Sequence, residues 1–430
     1  MSSVMKSITQ ACLGLSLLAA CGVEASWSGP TILSIRNWGV ISGMDAGGNT
    51  TAVWTDWYSR TSHLYSANLR KGLGEYWHVP NVVSASDSHV LQSVRLGIDS
   101  MWNAVVLWEE YDQNGAFQLR ASMRPTNGQW SLPTDVSPLY HNATSAQLAM
   151  NSSGYVVAVW QKNDNATSVI QAATLKFGST WSEPADISSA TEKATSAQVC
   201  VDHTGNAVAV WFEGKDIKAA VLPNEGKWSA PATLTSDNGS ELKLAMNGLG
   251  YAVAIWLTDT LNAATLKMGG IWSTPIKLKT TSTHLSDCEL AVDAEGNTVA
   301  VWVQRDFDES SPFPFFMNRY IVSASLPFGG SWSMPVNLSS TKLMSEAYSP
   351  QVALDKAGNA RAVWNTKSAI QTATVALNGA WSESIDIANG AFGVDSNPSL
   401  SVDATGYAVV NWSNESGDIE GITWTPDTEQ

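Results

Sequence analysis

The sequence predicts an all-β fold: a single eight-bladed β-propeller of four-stranded antiparallel blades. Three observations carry that prediction. One pattern, Asp-x-x-Gly-Asn-x-x-Ala-Val-Trp in its fullest form, recurs eight times and ends at Trp54, Trp108, Trp160, Trp211, Trp256, Trp302, Trp364 and Trp412. A second marker, Trp-Ser-x-Pro, lies between the copies at Trp27, Trp130, Trp181, Trp228, Trp272 and Trp332, with weaker forms at Trp77 (Trp-His-Val-Pro) and Trp381 (Trp-Ser-Glu-Ser). Thirdly, the segment after residue 25 begins with a unit's last strand, and the final unit stops without one.

Each unit reads as four short strands. Strand A precedes the turn Asp, as in Gln198 to Val201. Strand B is the Ala-Val-Ala-Val-Trp run, almost continuously apolar, as a strand covered on both faces should be. Strand C is typified by Ile170 to Leu175. Strand D starts at the second Trp and continues past the Pro, which suits an outer edge strand because Pro removes a ladder donor. The A–B link reads as a tight hairpin, with Asp or Asn opening it and Gly in the left-handed position. Trp102 is the exception to that Gly.

Two positions before the turn residue stand Gly43, Gly97, Ala149, Cys200, Ala245, Ala291, Ala353 and Ser401. All are small, as expected of the innermost strand, where blades converge on the axis. The N-terminal D-type strand, Trp27 to Leu33, is expected to join A (near Ser399 to Val402), B (Tyr407 to Trp412) and C (Asp418 to Trp424) and close the ring. The strands are too short for a transmembrane barrel, which needs roughly 9–11 residues in each. The 16 repeated Trp are read as core, since burying one removes roughly 150–250 Å² from water.

At 430 residues the usual length prior suggests more than one domain, but the repeats override it and give one propeller over 26–430. Residues 1–25 read as an export signal, with Lys6 as a weak n-region and Ala11 to Ala20 too short to span a bilayer. Two processing sites stay open. Leu18-Ala19-Ala20-Cys21 resembles a bacterial lipobox, with a signal of 1–20 and lipidation at Cys21. Val23-Glu24-Ala25 suits ordinary cleavage before Ser26. Of four Cys, only Cys200 and Cys288 remain in the body; they read as small buried residues. The net charge of −15, without any basic run, argues against nucleic acid and against a broad anionic-membrane face.

The unit resembles the repeats of exported bacterial β-propellers over residues 27–424. It is distantly similar to the sialidase Asp-box (Ser-x-Asp-x-Gly-x-Thr-Trp) and to propeller-lectin repeats, a likeness that implies sugar binding between blades. The spacing differs, with Asp-x-x-Gly here and Trp six residues after that Gly. A sialidase would need three Arg, a Tyr–Glu pair and an Asp, and no such set can be assigned. The Phe/Tyr-Arg-Ile-Pro segment is absent; Ile35-Arg36-Asn37 is no substitute.

Topology puts the constant A–B and C–D links on one face and the variable B–C and D–A links on the other. Variable loops on a rigid scaffold usually carry function. The largest is 305–319, whose Phe307, Phe313, Phe315 and Phe316 make an unusual exposed apolar group, a candidate contact surface or a plug on the ring. Trp57, Tyr58 and Arg60, then Tyr111 and Asp112, set aromatic rings beside polar groups, as a carbohydrate site requires. Asp56, Glu110 and Glu213 each follow a strand-B Trp by two residues and are weak candidates for paired-carboxylate glycoside hydrolysis. The His residues form no HxH or HExxH, so neither metal nor cofactor is expected.

The leading expectation is an exported or lipid-anchored, monomeric, non-catalytic propeller that binds a glycan or protein on its variable face. The alternative is a sialidase-like glycoside hydrolase with carboxylates in the central funnel. A structural envelope protein is the third.

Overall fold

The computed structural model describes residues 26–34, 37–56, 62–72, 76–85, 90–111, 114–139, 142–164, 167–278, 284–307, 316–340, 346–390 and 397–426. Every regular element in them is a strand, and the strands form eight antiparallel sheets. Blade 1 shows the plan: A Asn37–Met44, B Thr50–Asp56, C Leu64–Leu69 and D Asn81–Val82. Strand A of each blade touches strand A of the next, and that of blade 8 returns to blade 1. The ring is closed.

Closure occurs in blade 8. Strand C, Ile419–Thr425, takes on its outer side Ser26–Trp27 and Thr31–Ser34, with Trp27 opposite Trp424 and Thr31 opposite Gly421. The outer strand expected over Trp27 to Leu33 is thus two short pieces around a break at Ser28 to Pro30. The other D strands are also short, such as Thr134–Asp135, and begin four residues after the Trp rather than at it.

Burial separates the two Trp positions. All eight strand-B Trp are fully buried. The eight of the second marker are only half-buried, because, Trp27 apart, they stand just before the short outer strand rather than on it. Reading all sixteen as core therefore overstated the second set.

The small column of strand A is explained by the convergence of blades. A Cβ on Gly97 would come 2.7 Å from Met150 Cβ of the next blade. Cys200, in the same column, is a free thiol whose Sγ donates to Leu244 O at 3.2 Å, and Cys288 is free and buried. Strand A also breaks register in blades 1 to 7, for example between Thr144 and Gln147, with a left-handed residue such as Ser145 (φ 57°) at the break.

The A–B turns explain the Asp column. Asp202 Oδ1 accepts from the backbone N of Thr204 at 2.9 Å and of Asn206 at 2.9 Å, while Oδ2 accepts Asn206 Nδ2 at 2.7 Å. This Asx turn satisfies amides that the tight loop leaves without ladder partners. It recurs at Asp45, Asp99, Asp293 and Asp355.

Candidate functional site

The eight seams are chemically alike except where the repeat is broken. A strand-B residue of one blade meets a strand-C residue of the next, usually as aliphatic contact: Val157 with Leu222, Val208 with Leu266, Val409 with Leu69. Between blades 1 and 2 the same positions hold Thr51 and Arg124. Arg124 Nη2 donates to Thr51 Oγ1 at 2.8 Å and to Trp102 O at 3.4 Å.

Trp102 occupies the turn position that is Gly in the other blades and keeps its left-handed backbone, φ 66°. That conformation is strained for a bulky residue. Elsewhere the turn closes tightly on the preceding blade. A Cβ on Gly48 would lie 2.8 Å from Asp403 Oδ2, and one on Gly250 3.2 Å from Asp202 Oδ2. At this seam the indole enters instead, its Nε1 donating to Thr51 Oγ1 at 3.1 Å. It acts as a wedge.

Beside the wedge lies a cleft of about 540 Å³ on the constant face, walled by Trp77, Trp102 and Trp130. Trp130 is anchored across the seam by Nε1–H donation to Ser66 Oγ at 2.7 Å. Asn68, Asn81, Asn127 and Gln129 supply amides, and Tyr76 stands at the rim. Arg124 is the floor. Its guanidinium lies 5.0 Å from the Trp102 ring and 5.6 Å from Trp130, and burial pulls it down to about 10. Arg70, on the wall, sits 5.5 Å from Trp102 and donates to Asn127 Oδ1. No carboxylate occurs among the described lining residues.

The seam between blades 7 and 8 departs from the pattern in a related way. Arg361 takes the Val position and Trp424 the Leu position. The Arg361 guanidinium stands 5.0 Å from Trp27 and 4.7 Å from Trp424, and burial draws it down to about 10. A cavity of about 340 Å³ adjoins it, but here Asp355 is in the lining.

The variable face carries less described chemistry. Trp57, Tyr58, Arg60, Asp112, Phe313, Phe315 and Cys21 lie outside the described residues, and of Phe307 and Phe316 only the strand backbone is placed. Phe307 and Phe316 pair with each other, so the 305–319 link begins as an extension of strands B and C. Tyr111 is exposed and packs on Phe117 at 4.8 Å. A cavity of about 380 Å³ on this face is lined by Ser339, Glu346, Thr366 and Lys367, without aromatic rings.

Asp56, Glu110 and Glu213 sit on three different blades, each with local partners. Glu110 Oε2 accepts Trp108 Nε1 at 2.8 Å, and Oε1 accepts Arg120 Nη1 at 3.0 Å. Glu213 Oε2 accepts Trp211 Nε1 at 2.9 Å. Asp56 accepts the Tyr65 hydroxyl at 3.2 Å; burial, and then this carboxylate, push that phenol up. Two of the three thus satisfy the indole of their own strand-B Trp, which is why the acid falls two residues after it.

Sequence reasoning placed no site at the blade 1–2 seam, although its signals were present. Trp102 in the Gly column, Trp-His-Val-Pro in place of Trp-Ser-x-Pro, and Arg124 and Thr51 in apolar columns are four breaks in the repeat. Three fall at that seam; Trp77 packs against Leu69 and Tyr407 at the neighbouring one and reaches the same cleft.

The site and the fold define a closed eight-bladed propeller with an aromatic cleft between two blades. No protein-family model and no curated protein matches the chain. Among solved structures it is similar to a Penicillium chrysogenum α-L-arabinanase complexed with arabinobiose, at TM-score 0.43 and 9% identity, covering 93% of this chain and 98% of that one. It is similar to a polysaccharide lyase, an ulvan lyase, at TM-score 0.49 and 11% identity, covering 93% and 96%. It is also similar to prolyl oligopeptidase B from Galerina marginata, at TM-score 0.49 and 11% identity, covering 91% of this chain but 56% of that longer one. At such scores these likenesses carry no functional argument.

Proposed function

We propose that the protein is a binding propeller that takes a glycan, without catalysis, in the cleft between blades 1 and 2. The observation that carries this reading is the joining of two half-exposed rings, Trp77 and Trp130, with amide side chains in one open cleft backed by the buried Trp102. Flat aromatic faces suit the C–H surface of a pyranose, and amides can both donate to and accept from hydroxyls. The described lining offers no carboxylate pair, so it provides no general acid and base for glycoside hydrolysis. The same proposal includes export through residues 1–25; the mass of the mature N-terminus distinguishes lipidated Cys21 from cleavage before Ser26.

A glycan-array screen tests the reading. Three proteins are compared: the native protein, Trp77→Ala, and a variant with residues 306–318 replaced by a short Gly-Ser link. Saturable binding lost in Trp77→Ala and kept in the loop variant supports the cleft. Loss only in the loop variant moves the site to the variable face. No binding by the native protein overturns the glycan reading.

A further inference from the structure

We infer that the cleft selects an acidic carbohydrate, whose oxyanion is held at Arg70 above the buried guanidinium of Arg124. This rests on the glycan reading above and adds the class of sugar.

The chain carries 39 acidic and 24 basic residues, yet the described cleft lining holds two Arg and no acid. Arg124 is only 2% exposed. Its described hydrogen-bond acceptors are neutral, a hydroxyl and a carbonyl, and its Nε has no partner. A buried guanidinium without a counter-ion is disfavoured, since loss of hydration is not repaid by an opposite charge. Burial is also the only cause that lowers its proton affinity; no carboxylate opposes it.

The neighbouring acid does not fill that role. Asp45 lines the adjoining hollow of about 210 Å³. Its oxygens are spent on its own turn, accepting Gly47 N, Asn49 N and Asn49 Nδ2. Meanwhile Arg70 and Arg124 approach the same indole, at 5.5 Å and 5.0 Å. Two like charges flank one ring, and an anion in the cleft would relieve both. The repeat shows that the cation is not required by the fold, because the position of Arg124 is Leu175, Leu222 and Leu266 in the next three blades.

The ligand group is an oxyanion on a sugar. A uronate carboxylate matches the guanidinium fork, and a sulfate ester presents the same acceptors. Arg70 on the wall supplies direct hydrogen bonds. Arg124 below acts through its charge, which is weakly screened where water is excluded.

The test titrates the native protein by calorimetry with three oligosaccharides of one backbone: neutral, uronate-bearing and sulfated. The uronate form is expected to bind at least about tenfold tighter than the neutral one, with the margin shrinking as NaCl rises. Arg70→Gln and Arg124→Gln should each cut that margin, the ratio of acidic to neutral affinity being the quantity read in each variant. Near-UV circular dichroism shows whether Arg124→Gln is folded, and Arg70→Gln decides the matter if it is not. Preference for the sulfated form over the uronate keeps the oxyanion site and assigns its ligand to sulfate. Equal binding of neutral and acidic forms overturns this inference and leaves the glycan reading standing. Binding of none overturns the glycan reading itself.

Discussion

Lys71 Nζ donates to Asp403 Oδ2 at 2.6 Å across the seam between blades 8 and 1. That bond completes a rule of the A–B turns. Where the turn opens with Asp and has Asn four residues on, that Asn bonds Oδ2, as Asn206 does for Asp202. Where Tyr replaces the Asn, in blades 3 and 5, the opening residue is itself Asn, and its amide donates onward: Asn151 to Asp202 O and Asn247 to Ala294 O. Blade 8 alone combines Asp403 with Tyr407, and there Lys71 takes the missing donor's place while resting 4.7 Å from the Tyr407 ring.

Lys71→Met should therefore destabilise the protein by about 1–3 kcal/mol, because the Asp403 side chain is 1% exposed and would be left half-satisfied. Adding Asp403→Asn, the arrangement of blades 3 and 5, should recover most of the loss. Urea unfolding of both variants checks it; a double variant no better than the single would refute the rule.

Trp102 makes a prediction about backbone strain. Trp102→Gly restores the turn of the other blades, whereas Trp102→Ala keeps a Cβ at φ 66°. The Gly variant should be the more stable by about 1 kcal/mol, reversing the usual order. Thermal denaturation distinguishes them, and an Ala variant of equal or greater stability would show that the turn relaxes.

The indole acceptors can be exchanged. Blades 3 and 7 cap their strand-B Trp with Gln171 and Gln371. Glu213→Gln should thus stay within about 1 kcal/mol of the native protein, while Glu213→Leu leaves the Trp211 N–H buried and costs about 1–3 kcal/mol. Similar losses in both would mean that the charge of Glu213 matters in itself.

The clasp of blade 8 is held in part by Arg361 between Trp27 and Trp424. Trp27→Ala and Arg361→Leu should be non-additive in a double-mutant cycle, with a coupling of about 0.5–2 kcal/mol. Strict additivity would reduce the cation–π contact to proximity.

Burial pushes the Cys200 thiol up to about 12, and Cys288 is raised by burial and then by Glu241. An unfolded chain's thiol ionises near pH ~8.5. The folded value is the higher one, so this contribution is whole below pH ~8.5 and is lost as pH rises towards the native value. Between about pH 8.5 and 10.5 the native protein should lose stability more steeply than Cys200→Ala, by up to ~1.4 kcal/mol per pH unit. Parallel slopes in urea titrations would show that the native thiol ionises normally.

The fold was legible because it repeats. Strand B, the turn Asp or Asn and the small column each impose one physical demand eight times over, and the clasp followed from a missing strand. Other features were not legible. The break of strand A at Ser145 needs no special residue type there, since Ser, Glu and Asp all occupy the equivalent positions in other blades. The half-burial of the second Trp depends on how short strand D is, which Pro suggests but does not fix. The cleft is marked by no long variable loop; its walls are single substitutions in regular columns. Thr51 and Arg124 stand out only when strands B and C of adjacent blades are laid side by side.

The clasp also has a consequence in time. Thr423 N donates to Ser28 Oγ across 395 positions of chain, so the first described strands of the ring pair with the last described one. Contacts between such distant partners form slowly, because the loop they close must give up its freedom before any contact repays it. During synthesis, strands Ser26–Trp27 and Thr31–Ser34 wait without their partner, and the faces of blades 1 and 7 that will flank the last blade stand open. Until strand Ile419–Thr425 is made, the protein is an unclosed arc with two open sheet faces at its ends, the kind of surface on which incomplete chains associate.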